Sequence, residues 1–364
     1  MKKILCTTAL VGTTVLAGVN ISAAQTTITG QLDLTYKSIS SDGNTATTGT
    51  AQSYRGFGKE TQINVANKGN LNVAGLSYAA GFSLEADGGE TLAGGSHSEN
   101  TYLDIISGNT TLTISADHIM NPDFEITNIA GGKADIDEVA AGIGGAVSLM
   151  KTHATNTANS SYTAFGFGIM QTIPNIARVA VSYVPSNTAA NAVADGQDNA
   201  KSASGDGGNS QYDVMIDGNF GIKGARAFYA YNKAESETPG TSTTASDKKG
   251  QKYGVSYNFG QITLAASKSD VQSTSNIDAD TTSFAIAYAI NNNATINIIR
   301  AKTSADGTAT TARATTLDEK LTGVNIGYNL GPVTLNAWYV DGDNVGGAST
   351  GEGKAAMLLA TTRF

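Results

Sequence analysis

Residues 324–339 read Val-Asn-Ile-Gly-Tyr-Asn-Leu-Gly-Pro-Val-Thr-Leu-Asn-Ala-Trp-Tyr. Val324, Ile326, Tyr328 and Leu330 alternate with Asn325, Gly327 and Asn329, and beyond Gly331-Pro332 the alternation resumes through Val333, Leu335, Ala337 and Tyr339. Side chains of a strand point to opposite faces in turn, so a period of two assigns one face to an apolar environment and the other to a polar one. Gly-Pro is turn chemistry. The stretch therefore predicts an antiparallel hairpin with one oily face. Trp338 falls on its polar side, and nothing in the sequence explains an indole there.

The same alternation recurs from Thr27 onward, and it predicts sixteen strands. In the first half they are Thr27 to Lys37, Gln62 to Asn67, Leu71 to Leu84, Thr101 to Ile106, Thr111 to Ala116, Tyr162 to Met170, Ala177 to Val184 and Tyr212 to Ile222. The second half has Ala225 to Lys233, Lys252 to Phe259, Gln261 to Ser269, Ser283 to Ile290, Thr295 to Thr303, Leu321 to Leu330, Val333 to Asp341 and Ala355 to Phe364. In the third strand the apolar parity changes between Val73 and Leu76, which reads as a bulge near Gly75.

Short and long connections alternate without a break. Lys68-Gly69-Asn70, Lys223-Gly224, Gly260, Asn291 to Ala294 and Gly331-Pro332 are tight turns, while polar loops such as Ser38 to Thr61, Glu85 to Asn100, Asp117 to Ser161 and Pro185 to Gln211 separate them. Antiparallel neighbours joined this way place every long loop at one end of the sheet.

Composition narrows the environment. Charged residues are 15% of 364 and Pro only 5 residues, while 40% is apolar, which argues against disorder. Beyond residue 24 no stretch approaches the roughly 20 apolar residues of a spanning helix. Lys2 and Lys3, the apolar run Ile4 to Val19 and Ser22-Ala23-Ala24 read as a signal peptide over residues 1–24, with the barrel domain over 25–364. Cys6, the sole cysteine, lies within that signal, so thiolate chemistry is excluded from residues 25–364. Without Lys2 and Lys3, 21 basic residues face 31 acidic ones, a balance that disfavours nucleic acid.

Alternating strands suit either a soluble sandwich or a membrane barrel. Aromatic placement decides between them: Tyr36, Tyr183, Tyr231, Tyr339, Tyr212 and Tyr253 fall at the loop end, and Phe220, Phe259, Tyr328 and Phe364 at the turn end. Two aromatic girdles mark the two interfaces of a bilayer. The predicted fold is all-β, a transmembrane antiparallel up-and-down barrel of sixteen strands, closed because lipid offers no partner to an unpaired strand edge. Its lumen is wide enough for water.

With these features the chain resembles the general porins of Gram-negative bacteria. Thr27-Ile28-Thr29-Gly30-Gln31-Leu32 is similar to the family's opening strand, and Pro122-Asp123-Phe124-Glu125 to a motif of its constriction loop. The resemblance implies an outer-membrane channel for small hydrophilic solutes and ions, with a long third outer loop folded into the lumen. It also implies a homotrimer, with which the small outward residues Gly30, Ala356 and Ala360 are compatible. Phe364 matches the terminal aromatic read by the barrel-assembly machinery; Thr362 departs from the aromatic often found two positions earlier.

The third long loop spans about 45 residues, far beyond ordinary connections. It carries Asp117, Asp123, Glu125, Asp135, Asp137 and Glu138 against Lys133 and Lys151. Carboxylates around a narrow pore attract cations, so a cation preference is expected; the plainer reading is that they solvate an exposed loop. The apolar part, Val139 to Met150, suits anchoring against the wall. By parity Lys37, Arg178, Arg226 and Lys68 face the lumen as a basic wall, and Asp33, Asp213 and Asp217 face it too.

No catalytic site is legible. His97, His118 and His153 read as loop residues without zinc spacing, and no nucleophile elbow occurs. Gly142-Ile143-Gly144-Gly145 lacks the strand and helix of a phosphate loop, and Asp341 to Asn344 and Asp195 to Asn199 read as solvated acidic loops before calcium sites. No cofactor or metal is expected. Three functions stay open: a passive diffusion channel, a substrate-selective channel with a site at the third loop, and a structural or adhesive barrel.

Overall fold

The computed structural model describes residues 24–41, 53–87, 97–116, 134–143, 165–184, 209–236, 248–272, 278–306, 317–347 and 351–364. The signal-peptide stretch 1–23 lies outside them.

Sixteen strands are present. They are β1 (Gln25–Ser41), β2 (Ser53–Asn70), β3 (Leu76–Asp87), β4 (His97–Ser107), β5 (Thr110–Ala116), β6 (Phe165–Ile173), β7 (Ala177–Val184) and β8 (Asn209–Gly218), followed by β9 (Ala225–Ser236), β10 (Lys248–Phe259), β11 (Ile262–Gln272), β12 (Asp278–Ala289), β13 (Ala294–Asp306), β14 (Glu319–Asn329), β15 (Val333–Asp343) and β16 (Gly353–Arg363). Each pairs antiparallel with its sequence neighbours, and β1 pairs with β16, so the sheet closes into a barrel.

Most strands outrun the alternation that announced them. Ser53 to Thr61 had the composition of a loop, yet it forms the first half of β2, and β4, β9, β10, β12 and β13 likewise continue toward the loop end. Above the bilayer the outer face has no need of apolar side chains, so the hydrogen-bond ladder persists where the alternation stops. The third strand needs a second correction. It begins at Leu76, because β2 runs through Asn70 and the turn occupies 71–75; Gly75, with φ of 80°, belongs to that turn. The parity change at Val73 therefore marks a turn, and the bulge lies further on, where β3 shifts register against β4 between Gly81 and Ser83. His97, expected in a loop, opens β4. The predicted eighth strand is shorter than read: it stops at Gly218, and Phe220 stands in the turn that follows.

Large apolar side chains stand outside. Phe57 is 87% exposed and Phe259 61%, and Val255, Phe284 and Leu358 project likewise. Inside, small and polar residues form cross-strand pairs: Asn325 and Asn336 exchange amide hydrogen bonds of 3.3 and 2.9 Å, and the Thr281 and Thr303 hydroxyls lie 2.9 Å apart. This inversion of the globular pattern is what a barrel in lipid requires.

The last residue completes the seam. Gly30 N–H donates to the Phe364 carbonyl at 2.6 Å, and Phe364 N–H to the Gly30 carbonyl at 3.0 Å. The Phe364 ring lies so close over Gly30 that any Cβ there would collide with it. The small surface expected at Gly30 for packing between subunits is thus taken by the chain's own terminus. A side chain at position 30 has to displace that terminal ring from the seam, so Gly30→Val lowers the folded fraction. Heat-modifiable electrophoretic mobility after refolding measures the loss, and Gly56→Val, where a Cβ has no neighbour within 4 Å, leaves it unchanged.

Candidate functional site

Within the third long loop, Ile136–Ala140 forms a short helix, α1. Its start is fixed by Asp135, whose backbone N–H donates to Glu138 Oε2 at 3.1 Å, a capping-box contact that occupies an otherwise orphan donor. Ile136, Val139 and Ala140 are fully buried. They dock inside the barrel on the wall formed by β14, β15 and β16.

Glycines on that wall make the docking possible. A Cβ on Gly323 would stand 2.8 Å from Ile136 Cδ1, and one on Gly342 3.1 Å from Ile143 Cδ1. Around them lie Ile39, Leu321, Val340 and Ala355, each about 1% exposed or less. Trp338, without a reason in the sequence, packs in the same cluster, 3.3 Å from where a Gly323 Cβ would lie. The inner wall is apolar here because its partner is protein and not water. Lys37, on β1, completes the anchor by donating from Nζ to the carbonyls of Glu138 at 2.5 Å and Ala141 at 3.0 Å. A cation at a helix C-terminus also opposes the negative end of its dipole.

The loop acids have divergent environments. Asp135 is 4% exposed, whereas Glu138, with Oε2 turned back to the Asp135 N–H, stays exposed. Asp137 has its Oδ1 buried without a hydrogen-bond partner. Burial first, then the negative charges of Asp135, Glu138 and Glu319, pushes its carboxyl up to about 7. Glu319, at the loop end of β14, is itself buried and accepts from Gly346 N–H at 2.8 Å. Asp117, Asp123 and Glu125 lie outside the described residues.

Across the lumen, β7, β8 and β9 bring together Arg178, Asp217 and Arg226. Arg178 Nη2 lies 2.9 Å from Asp217 Oδ2, and Arg226 Nε 2.7 Å from Asp217 Oδ1. Two guanidinium groups thus share one carboxylate near the turn end of the barrel. Arg178 and Arg226 do face the lumen, but α1 docks on the opposite wall, toward the loop end, so these bases do not meet the described part of the loop. Lys68, opposite Gln25 in register, is exposed at the turn end.

The β1–β4 side of the lumen is acidic. Asp33 is opposite Glu60, and Glu85 and Asp104 follow on β3 and β4 with the same inward parity. Asp104 accepts from Thr113 Oγ1 at 2.6 Å, and Asp213 on β8 accepts from Ser182 Oγ at 2.8 Å. Glu60 escaped the sequence reading because its segment was assigned to a loop. Asp104 was within reach, since Leu103 and Ile105 on either side give its parity. Asp341 and Asp343 belong to β15, while Asn344 donates to the Asp318 carbonyl at 3.1 Å.

The model of a family described as Gram-negative porin matches residues 7–345. Among solved structures, a triple mutant of Rhodopseudomonas blastica porin superposes with a TM-score of 0.60 at 13% identity, covering 93% of this chain and 100% of that one. A mutant of the Rh. blastica porin with five substitutions gives a TM-score of 0.59 at 13% identity, with the same coverage. So does a structure described under the asymmetric conductivity of engineered proteins, at 0.59 and 13%. No curated protein sequence matches the chain.

Because Asp137 is held above the ordinary carboxylate value of 3.8, at about 7, docking of α1 is strongest with the carboxyl protonated and weakens as pH rises from about 4 through 7. Trp338 is the only tryptophan and reports the contact. Its emission shifts to longer wavelength between pH 5 and pH 8, and Asp137→Asn abolishes the shift.

Proposed function

The chain belongs to the Gram-negative porin family and forms a channel of the outer membrane, and from that premise we propose that it is a passive, cation-preferring pore for small hydrophilic solutes. The observation that carries the reading is the distribution of charge in the lumen. Asp33, Glu60, Glu85 and Asp104 occupy one wall and Glu138 projects from the docked helix, while the arginines opposite divide their charge with Asp217. In a water-filled passage with low-dielectric walls, fixed carboxylates raise the local concentration of cations and exclude anions. The solute is not changed chemically. It is selected by size, at the part of the lumen narrowed by α1, and by sign.

The acidic residues outside the described part of the loop, Asp117, Asp123 and Glu125, extend the same field in this reading, and Lys37 serves as an anchor of the constriction more than as a base facing solute. Residues 1–24 act as the export signal. Phe364, 71% exposed and seated at the seam, is the recognition end for barrel assembly. Trimer formation is supported by the family and by the small outward residues Ala356 and Ala360 of β16.

Planar-bilayer recordings test the proposal. The refolded chain gives a reversal potential of the sign for cation preference and a conductance that rises without saturation as solute increases. The double variant Asp33→Asn, Glu60→Gln moves the reversal potential toward zero. Anion preference in the unmodified chain refutes the charge reading, and saturation by one solute class refutes passive diffusion.

A further inference from the structure

The outer wall is not uniformly oily. Strand register sets Lys268 of β11, Thr282 of β12, Lys302 of β13 and Lys320 of β14 in one continuous row on the outward face. One step toward the turn end the next row reads Ala266, Phe284, Arg300 and Thr322. Lys302 and Lys320 are directly opposite each other, with Arg300 diagonal to Lys320. Like charges in cross-strand register destabilise a sheet, so this arrangement calls for an anion.

Protein acids supply only part of it. Lys302 pairs with Asp318 at 2.6 Å and Lys268 with Asp280 at 3.6 Å, both with half-exposed partners, and exposed pairs of this kind are weak. Asp343 is opposite Lys320 in register and Asp341 opposite Thr322. Arg300 has Phe284 and Thr322 as its cross-strand neighbours, and neither Arg300 nor Lys320 makes an ion pair among the described residues. An arginine on a lipid-facing wall is costly near the midplane and tolerable where it reaches headgroups.

Directly beneath these bases the wall is hollowed. Where the outward residues are as small as Ala227 and Ala266, a depression of 860 Å³ opens between Val255, Tyr257, Leu264, Phe284, Ile286 and Ile298, and reaches up to Arg300. A second hollow of 340 Å³ adjoins it below Lys268 and beside Tyr253. A cationic cluster above an apolar trough is complementary to one kind of molecule, an anionic amphiphile. We infer that the outward face of β11 to β14 binds a phosphate-bearing lipid of the outer leaflet, its phosphate held by Arg300, Lys302 and Lys320 and its acyl chains laid in the hollow beneath. Guanidinium matches phosphate in a two-pronged geometry, and the lysines add point charges. A zwitterionic headgroup carries its own ammonium and competes poorly. The inference rests on the reading that this wall faces lipid, and it is independent of ion selectivity.

Native mass spectrometry of the refolded chain in neutral detergent tests it, with phosphatidic acid and phosphatidylcholine of identical acyl chains added in equal amounts. The unmodified protein retains phosphatidic acid in preference, and Arg300→Gln weakens that retention by about fivefold, the usual worth of one base at an anionic surface. The triple variant Arg300→Gln, Lys302→Gln, Lys320→Gln retains the two lipids equally. Lys59→Gln, an outward charge change on β2, leaves the preference intact and shows that charge number alone is not responsible. Equal retention by the unmodified protein overturns the inference, as does a preference that survives in the triple variant. So does an oligomer in lipid-free detergent that shields a thiol introduced by Thr322→Cys, because a second copy of the chain then covers the face. A channel with no cation preference that still selects phosphatidic acid would separate this inference from the charge reading of the pore.

Discussion

Everything in this barrel follows from the cost of leaving a backbone N–H or C=O without a partner in hydrocarbon. Sixteen strands satisfy the requirement only by closing, and closure is made by the pairing of β1 with β16 over eleven residue pairs from Gln31 and Arg363 to Ser41 and Gly353. Gly30 and Phe364 extend that ladder by two more hydrogen bonds. Because the ring of the last residue needs the space that a Cβ at Gly30 would occupy, the first strand and the last side chain are matched to each other. Closure also converts one alternation of side chains into two environments. The outer set meets lipid, and the inner set encloses water.

Inside, the division is broken where the loop docks. Trp338, Val340, Leu321, Ile39 and Ala355 turn an apolar surface into the lumen, and Ile136, Val139 and Ile143 cover it. Glycines at 323 and 342 let the loop approach closely, and Lys37 ties down its last carbonyls. The described part of the loop is thus held by burial of its apolar side chains and by one cation. The raised carboxyl of Asp137 sits in that contact, so the docking of the loop is tied to a titratable group.

Charge is organised around the same axis. Acids line the inner face on β1 to β4, and near the turn end Asp217 keeps the Arg178 and Arg226 guanidinium groups together. On the outside, the row of bases on β11, β13 and β14 continues the register of Tyr253 on β10. The inner charges face the lumen and the outer ones the surroundings of the barrel.

The alternation in segments such as Val324 to Tyr339 was sufficient to determine the number of strands, their order, the face taken by the side chains that alternate and the membrane as surroundings, because periodicity and aromatic placement are local properties of the chain. It also put Lys37, Arg178, Arg226, Asp33, Asp213 and Asp217 on the inner face. Strand ends were not legible, since the ladder continues past the bilayer where no apolar residue signals it, and Glu60 was lost for that reason. Nor was the parity shift at Val73 readable as a turn. Only the tertiary structure decided that Lys37 caps α1, that two arginines converge on Asp217, that Trp338 is the floor beneath a docked loop and that Lys302 faces Lys320. Each of these joins residues far apart in the chain, and the register that aligns them is set by closure of the whole sheet and is written in no single strand.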